Sequence, residues 1–337
     1  MALETVRLRL AEVDALAQSV LLANGVGEQA AGILGEIIAA AERDGPRSHG
    51  LAILPRYVAS LRCGWIDGQS APTWSEPAPG LLRAEGANGL AQAVITRSRP
   101  RLGEMARAQG IASLGVRNAH HVGPLRADVE PLAEEGLIAI AMSNSRAFLV
   151  PWQGERAIFG TNPMAFACPR DDGPPIVWDH ASSVMAISDI RLAAAEGHAL
   201  EVAAGLGPDG APSRDPEAIL QSTRLLPFGQ HKGASVALMI EILAGALGGG
   251  NLAIEDSSAG TPGAMSSNAG QILIAIDPAR AHGSGFGSRI ATLLAAFEDN
   301  GEARVPGDGR LDRRALAERD GVAVAPDLLE RLEALIA

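Results

Sequence analysis

The chain is poor in cysteine and in long apolar segments, and each shortage excludes a class of protein. Its 337 residues include only Cys63 and Cys168, too few and too far apart for a disulfide framework or a zinc knuckle. Both are expected to be small core or near-core residues, as in the reducing cytoplasm. No uninterrupted 18-residue apolar run is present, and the first ten residues lack the apolar region of a signal peptide. A cytoplasmic globular protein with no membrane partner is therefore expected.

Aromatic side chains and positive charge are also scarce. Aromatic residues make up 3% of the chain, and the formal net charge is −11 at pH 7. Nucleic-acid-binding proteins need basic surfaces and stacking platforms, so nucleic acid is not an expected partner. A local basic pocket for a small anion remains possible.

Lysine is the scarcest charged residue. Lys232 is the only lysine among 28 basic residues, and it lies between two glycines. The apolar stretch 236–247 that follows it is expected to form a largely buried helix. An ammonium group at a helix N-terminus opposes the helix dipole unless an anion lies between them. A surface lysine left by chance is the alternative, but these surroundings favour an anion-binding role.

The order of local patterns indicates an α/β protein. Residues 66–90 are rich in proline and glycine and are expected to form irregular structure or short strands. Helical spacing of apolar residues occupies 8–22, 28–42, 51–61 and 89–109 (with Pro100 inside), and charged helices follow 311. Strand patterns occupy 112–116, 137–142, 164–168, 176–178 and 271–277.

Familiar nucleotide and metal motifs are missing. Residues 283–288 come nearest to Gly-x-Gly-x-x-Gly, but the third glycine falls one place early and no strand-helix-strand unit follows. This segment is therefore expected to be a turn. His120 and His121 would point to opposite faces of a strand, and no acidic or cysteine ligand stands at a suitable spacing. No metal site is expected.

Several polar clusters stand in apolar or glycine-rich surroundings. They are 48–49, 118–121, 143–145, 160–163, 179–189 and 231–232. Each has a structural alternative: Ser48 suits a helix cap, His121 a hydrogen-bonded core residue, and 161–163 a turn. Their accumulation in one chain favours a functional site.

Together these clusters resemble the malate/L-lactate dehydrogenase family of the second type, a non-Rossmann group that also holds ureidoglycolate, sulfolactate and diketogulonate enzymes. The resemblance covers nearly the whole chain. The matching segments are 43–57 (Ser-His-Gly), 116–123 (Val-Arg-Asn-Ala-His-His-Val-Gly), 143–145, 159–167, 226–233 (Gly-Gln-His-Lys-Gly), 268–272 and 304–307.

The resemblance to this family implies a fold and an assembly. The fold is a non-Rossmann mixed-sheet cofactor domain with helical N- and C-terminal regions. The implied divisions are an N-terminal helical region over 1–75, a helical and dimerisation region over 76–115 with 303–337, and an NADP-binding domain over 116–302. A homodimer with sites near the subunit contact is expected.

Two departures from the family pattern suggest a branch. Members that act on dicarboxylic or hydroxylated substrates often carry arginine where this chain has Ile53, and Ala-Arg-Gly-Lys where it has 186–189, ending in Asp189. These changes are expected to disfavour a second substrate carboxylate and to suit a positively charged reacting centre. The pattern resembles the Δ1-piperideine-2-carboxylate / Δ1-pyrroline-2-carboxylate reductase branch. It implies NADPH-dependent reduction of cyclic imine carboxylates to L-pipecolate and L-proline.

The resemblance also implies roles for residues. Ser48, His49 and Asp189 would form a proton relay, with His49 poised near neutral pH. Arg56 and Thr161 would bind the cyclic imino acid. Residues expected around NADPH, with NADH possible, are His120, His121, Gly123, Thr161, Asp179, Ala181, Ser182, His231, Lys232, Gly233, Arg304 and Arg310. The last two belong to a basic loop that would favour a 2′-phosphate, the alternative being a solvated charge run.

Two other functions stay open at this point. A 2-keto acid reductase of the malate or lactate type would share the fold, the hydride donor and His49. A non-catalytic binder on the same fold would bind ligand without oxidising NADPH, and the Ser48–His49 pair argues against it. Preference between five- and six-membered rings depends on about one methylene of pocket volume and also stays open.

Overall fold

The computed structural model describes residues 5–45, 47–121 and 123–337 of the chain. Its helices are α1 Leu10–Ala23, α2 Glu28–Asp44, α3 Leu54–Arg62, α4 Ala91–Gln109, α5 Arg126–Glu134, α6 Ile187–Glu196, α7 Pro216–Ser222, α8 His231–Ile240, α9 Pro278–His282, α10 Phe286–Glu298, α11 Asp308–Asp320 and α12 Pro326–Glu333. Its strands are β1 Val6–Leu8, β2 Thr73–Ala78, β3 Leu81–Leu90, β4 Ile111–His120, β5 Ile138–Ser143, β6 Met164–Cys168, β7 Ile176–His180, β8 Gly205–Leu206, β9 Pro212–Ser213, β10 Asn268–Ile276 and β11 Val322–Val324.

A seven-stranded mixed sheet forms the centre of the protein. Its strand order is β2-β3-β4-β10-β5-β6-β7; β3 is parallel to β4, and the other neighbouring pairs are antiparallel. The middle strand, β10, is apolar on both faces because both are covered. Leu273 and Ala275 pack in the core with α4 and α5, whereas Ile272 packs against the segment after α8. The predicted mixed-sheet α/β fold is confirmed.

The two ends of the chain share a second core. Apolar residues of α1, α2 and α3 pack with Ala317, Val322, Val324 and Leu332 from the C-terminal segment, and β1 pairs with β11. Residues 81–90, expected to be irregular or short strands, instead form the ten-residue strand β3 of the central sheet. The predicted domain boundary between 115 and 116 falls inside β4.

The helix predicted over 236–247 begins earlier and is less buried than expected. It starts at His231, and the segment Glu241–Leu247 continues α8 as a π-helical turn. Leu238, Met239, Ile242 and Leu247 form an outward apolar surface, here called the α8 face, with exposed fractions of 39–67%. The expectation of a largely buried helix is wrong for this face, because apolar residues surround the helix and only one side packs on the sheet.

Other expectations from composition have mixed outcomes. Cys168 is buried, but Cys63 is exposed at the end of α3, so its prediction as a core or near-core residue is wrong. Of the segment 283–288, predicted to be a turn, residues 283–285 form a turn between α9 and α10, whereas 286–288 begin α10. Across the described part of the chain, every helix is too short or too polar to span a bilayer.

Candidate functional site

One cavity brings together seven of the residues predicted from sequence. It has a volume of about 290 Å³ and is called the site cavity below. The predicted residues that line it are Ser48, His49, Arg56, Gly123, Thr161, Asp179 and Ala181. The other lining residues are Pro124, Leu125, Arg126, Pro163, His180, Ala186, Ile187, Ser188 and Arg191. The cavity thus lies between the helical N-terminal region and the β7 end of the sheet.

His49 enters the cavity from a short 3-10 turn that follows α2. Ser48 Oγ lies 3.2 Å from His49 Nδ1. The turn is held by the Glu42 carboxylate, which accepts the Leu51 backbone N–H at 2.8 Å. Burial, together with the charges of His121, Arg126 and Arg56, lowers the pKa of His49 to about 4. The expectation that His49 is poised near neutral pH is therefore wrong for the free protein, in which its imidazole is neutral.

Asp179 lines the same cavity from the end of β7. Its Oδ2 accepts the Arg126 backbone N–H at 3.1 Å, and burial raises the pKa of the carboxyl. Arg126 Nη2 is buried and has no hydrogen-bond partner among the described residues. His121 Nε2 lies 3.4 Å from Asp128 Oδ2. This wall therefore carries a guanidinium donor, Arg126 Nη2, whose hydrogen-bonding capacity the described residues leave unused.

Buried ion pairs lie beneath this wall. Asp44, 1% exposed, contacts Arg126 Nε at 3.3 Å and Arg314 Nη2 at 2.8 Å. Arg310 Nη1 lies 2.8 Å from Glu130 Oε1 and 3.5 Å from Asp44 Oδ2. Arg310 is buried in these pairs, so the structure does not present it to a cofactor phosphate as predicted.

His120 lies apart from the site cavity. It is fully buried, and its ring nitrogens lie 2.9 Å from Asn88 Oδ1 and 3.1 Å from Ser266 Oγ. Trp65 packs edge-on against the ring, with centroids 5.6 Å apart. The side chain is fully engaged in packing, contrary to its prediction as a cofactor contact.

Asp189 and Ile53 also differ from expectation. Asp189 lies in the first turn of α6, beside the cavity-lining Ser188, but its side chain is exposed. No hydrogen bond joins it to His49 within the described ranges, so the predicted relay is incomplete. Ile53 is buried in the N-terminal core rather than lining the cavity, and Arg56 does line it one helical turn later.

Residues 228–233, here called the Lys232 segment, are attached to the far side of the cavity. The Phe228 N–H donates to the Ser182 carbonyl at 3.0 Å, and its ring packs edge-on against His180. Lys232 and its neighbour His231 are exposed at the start of α8, after Gln230, whose φ of 61° is unusual for a residue with a side chain. Arg304 is exposed in the loop before α11. The predicted cofactor contact at 231 and the predicted phosphate contacts at 232 and 304 stay predictions.

The sequence interpretation overlooked two cavity arginines, Arg126 and Arg191. Arg126 follows Gly-Pro-Leu directly after the 116–123 motif, where an arginine in an apolar segment was a usable signal. Arg191 lies on α6, two residues after Asp189, and only the fold brings it to the cavity. With Arg56, the cavity therefore has three arginines. The cavity therefore has more cations than the changes at 53 and 186–189 alone suggested.

The buried histidines give a pH prediction for stability. Burial lowers the pKa of both His49 and His120 to about 4, from an ordinary value of 6.5. Between these values the unfolded chain binds more protons than the folded one, so the free energy of unfolding falls as pH falls below 6.5. We expect a loss of about 2 kcal/mol per histidine between pH 7.5 and pH 5 in urea unfolding.

The His49→Ala variant should lose about half of this pH dependence. His198→Ala is the matched control, because His198 is an exposed histidine. An unchanged slope in His49→Ala would show that His49 is protonated in the folded protein at pH 5.

Gly233 gives a second prediction. A Cβ there would lie 2.7 Å from Phe228 N and 2.9 Å from the Ser182 carbonyl, and it would also contact the Phe228 carbonyl. These are backbone atoms, so Gly233→Ala should displace the 228–233 segment and cost roughly 1–3 kcal/mol of stability. Thermal unfolding measures the cost. Gly32→Ala, on α2 with open space around it, is the control and should not lose stability.

Comparison with known proteins shows which family this chain resembles. The profile of the malate/L-lactate dehydrogenase family matches residues 8–333. The Δ1-pyrroline-2-carboxylate/Δ1-piperideine-2-carboxylate reductase of Pseudomonas putida is 42% identical over 331 residues, covering 98% of this chain and 97% of the relative. A (2R)-3-sulfolactate dehydrogenase of Chromohalobacter salexigens is 36% identical, with coverage of 89% and 90%.

A solved structure agrees with these relatives. The crystal structure of Δ1-piperideine-2-carboxylate reductase from Pseudomonas syringae pv. tomato superposes with a TM-score of 0.95 at 39% identity. The match covers 98% of this chain and all of that one. The chain therefore belongs to the malate/L-lactate dehydrogenase family, as its sequence motifs predicted.

Proposed function

We propose that this protein reduces Δ1-piperideine-2-carboxylate and Δ1-pyrroline-2-carboxylate to L-pipecolate and L-proline, with NADPH as the reductant. The observation that carries the proposal is the Ser48–His49 pair, which lines the same cavity as Arg56 and Asp179. A proton-handling group and a guanidinium for the 2-carboxylate are the two things that reduction of an imino acid needs. The names of the relatives described above support the same chemistry.

The cavity wall fits a nicotinamide cofactor. A Cβ at Gly123 would approach Gln92 Nε2 at 2.7 Å, so glycine lets the cavity-lining backbone pack closely against the buried Gln92. The unpartnered Arg126 Nη2 and the Asp179 carboxylate are available to a polar ligand. Gly123, Arg126, Asp179 and Ala181 would hold the cofactor, which supplies the hydride when bound. Their side of the cavity lies next to the Lys232 segment.

The preference for NADPH over NADH is part of the proposal. Lys232 and Arg304 are exposed and take part in no ion pair within the described residues. A 2′-phosphate carries charge that free cations can bind, whereas NADH lacks that group. The ratio of kcat/KM for NADPH and NADH should therefore fall in Lys232→Gln or Arg304→Gln. An unchanged ratio in both variants would contradict this assignment.

His49 would deliver the proton to the ring nitrogen. In its protonated form His49 would have its Nδ1–H held by Ser48 Oγ and its Nε2–H free to be donated to the ring nitrogen, and donation would return the neutral imidazole. A substrate carboxylate beside Arg56 would offset the positive field that lowers the pKa of His49. Substrate binding would thus raise the pKa of His49 and favour its protonated form. Leu125, Pro163 and Ile187 give the cavity apolar walls that restrict water.

The proposed assembly is a homodimer formed through the α8 face. An outward apolar surface of this kind marks an interaction site in a protein of this size. Ile242, 52% exposed on this face, is expected to be covered by a second copy. Ile242→Glu should then shift the mass measured by light scattering to that of a monomer. Leu293→Glu, on α10 and 56% exposed, is the control and should leave the mass unchanged.

The activity is tested by NADPH absorbance decay with Δ1-piperideine-2-carboxylate, beside pyruvate and oxaloacetate at equal concentration. The proposal predicts rapid decay with the imine and slow decay with both keto acids. Decay with the keto acids alone would identify a 2-keto acid reductase. No decay with any of them would contradict the proposed function.

A further inference from the structure

We infer that Glu241 is a positioning residue of the reaction, because its buried carboxylate holds Asn162 in place between two residues that line the site cavity, Thr161 and Pro163. The inference rests on the proposed function and adds to it a residue from outside the cavity. Glu241 does not line the site cavity, so it acts through Asn162.

The Glu241 carboxylate is buried where α8 passes into the π-helical turn Glu241–Leu247, and the residue is 7% exposed. Its Oε1 accepts Asn144 Nδ2 at 2.8 Å and the Ala253 backbone N–H, and its Oε2 accepts Asn162 Nδ2 at 2.9 Å. Among the described residues it has no ion-pair partner. Burying a charge is costly unless hydrogen bonds compensate it, so these three bonds keep the carboxylate in the interior.

Asn162 is the residue that this carboxylate fixes near the cavity. It is fully buried, and its φ of 38° lies in the left-handed region that residues with side chains rarely adopt. Its Nδ2 donates to Glu241 Oε2 and also to the Ala237 carbonyl of α8, both at 2.9 Å. Such a backbone conformation persists only where the surroundings determine it, and here the two bonds tie Asn162 to α8.

The backbone around Asn162 connects two walls of the site cavity. Its chain neighbours Thr161 and Pro163 line the cavity, and so does Ala181 on the other wall. Ser182, which follows Ala181, donates its hydroxyl to the Asn162 carbonyl at 2.7 Å and its backbone N–H to the Thr161 carbonyl at 2.8 Å. A shift of Asn162 would therefore move both walls together. Misplacing a reactant by about 1 Å can cost about 100-fold in rate.

Single-turnover kinetics separate positioning from a purely structural role. Full-length protein in excess over NADPH is mixed with saturating Δ1-piperideine-2-carboxylate. The amplitude of NADPH oxidation counts the folded, active molecules, whereas the rate constant describes the reaction within each of them. A residue that only stabilises the fold changes the amplitude, and a positioning residue changes the rate constant.

Glu241→Gln keeps the shape of the side chain, but in either orientation its amide NH₂ faces an N–H donor. The rate constant should fall about tenfold or more. Glu255→Gln is the matched control. The exposed Glu255 carboxylate accepts the neighbouring Leu252 backbone N–H at 2.8 Å, and no hydrogen bond joins it to Asn162 in the described part of the chain. Its rate constant should equal that of the wild type.

Asn162→Gly tests the connection and serves where Glu241→Gln does not fold. Glycine adopts a φ of 38° without strain, so this variant removes the side-chain anchor and leaves the backbone conformation accessible. Its rate constant should also fall about tenfold or more. Combining it with Glu241→Gln should lower the rate constant no further than the more affected single variant, because both remove the same contact.

Hydrogen exchange gives a readout that needs no turnover. In the free protein, the Ser182 N–H is bonded to the Thr161 carbonyl. Peptides that contain Ser182 should exchange at least about threefold faster in Glu241→Gln than in the wild type, as measured by mass spectrometry. Peptides from α1, which packs in the other core, should exchange at the wild-type rate.

The outcomes separate this inference from the proposed function. A wild-type rate constant in either folded single variant, multiplied effects in the double variant, or unchanged exchange at Ser182 would overturn the role of Glu241 alone. A wild type that reduces pyruvate but not the cyclic imine would overturn the proposed function. The same rate ratios would then be measured with pyruvate, and a tenfold loss in Glu241→Gln would still support the positioning role.

Discussion

Replacing His49 by alanine is expected to lower kcat for the cyclic imine by about 10²–10⁴, the usual contribution of a positioned acid or base. His49 is a partly buried histidine of the site cavity, and Ser48 Oγ lies 3.2 Å from its Nδ1. Of the other cavity side chains, Arg56 and Arg126 stay charged, Asp179 accepts a hydrogen bond from a backbone amide, and the exposed His180 stacks on Trp178. Single-turnover reduction of Δ1-piperideine-2-carboxylate at saturating NADPH measures the loss.

The controls separate chemistry from folding. Burial disfavours the charged form of His49, so its imidazole is neutral at pH 7.5. His49→Ala therefore removes no charge at that pH and should keep the thermal stability of the wild type. Ser48→Ala should lose less activity, since Ser48 only orients the ring. Near-wild-type turnover in folded His49→Ala would remove His49 from the mechanism.

Replacing Asp44 by alanine is expected to cost about 3–5 kcal/mol of unfolding free energy, the penalty for leaving buried cations unpaired. Burial alone would raise the pKa of Asp44, but hydrogen bonds from Arg314 and Arg43 override it and hold the pKa well below its usual value. Without Asp44, the guanidinium of Arg126 loses its carboxylate partner beneath the cavity wall. Urea unfolding at neutral pH gives the free-energy change.

A surface pair provides the comparison. Glu76 bonds Arg101 at 2.7 Å, with both side chains about half exposed, so Glu76→Ala should cost less than about 1 kcal/mol. Similar losses in Asp44→Ala and Glu76→Ala would mean that water reaches the buried cluster. A loss of activity in Asp44→Ala beyond its loss of stability would indicate that Asp44 also positions Arg126.

The sequence predicted the fold best where local pattern and packing agree. The strand predicted over 271–277 is continuous and apolar because β10 is covered on both faces; the observed strand begins three residues earlier and ends one residue earlier. The sequence does not predict the long strand at 81–90, because its small residues and glycines have little strand propensity. This segment acquires strand structure by pairing with β4. Tertiary pairing rather than local propensity decides that segment.

Site residues were predicted through motifs, and the failures follow from burial. Residues 48–49 and 179–181 line the cavity, and the family motifs to which they belong predicted them as site residues. Inside the protein, Arg310 is paired with Glu130 and the His120 ring bonds Asn88. A sequence does not show which polar side chains already have such partners. Arg191 was overlooked for the opposite reason, since only the packing of α6 brings it to the cavity.

The most direct test of the account is the position of the transferred hydrogen. NADPH carrying deuterium at both hydrogen positions of nicotinamide C4 would be used to reduce Δ1-piperideine-2-carboxylate, and NMR would locate the deuterium in the product. The account predicts L-pipecolate with one deuterium at C2, formed by the wild type and about 10²–10⁴ times more slowly by His49→Ala. Unlabelled product, or deuterium found only in lactate or malate when keto acids are supplied, would contradict it.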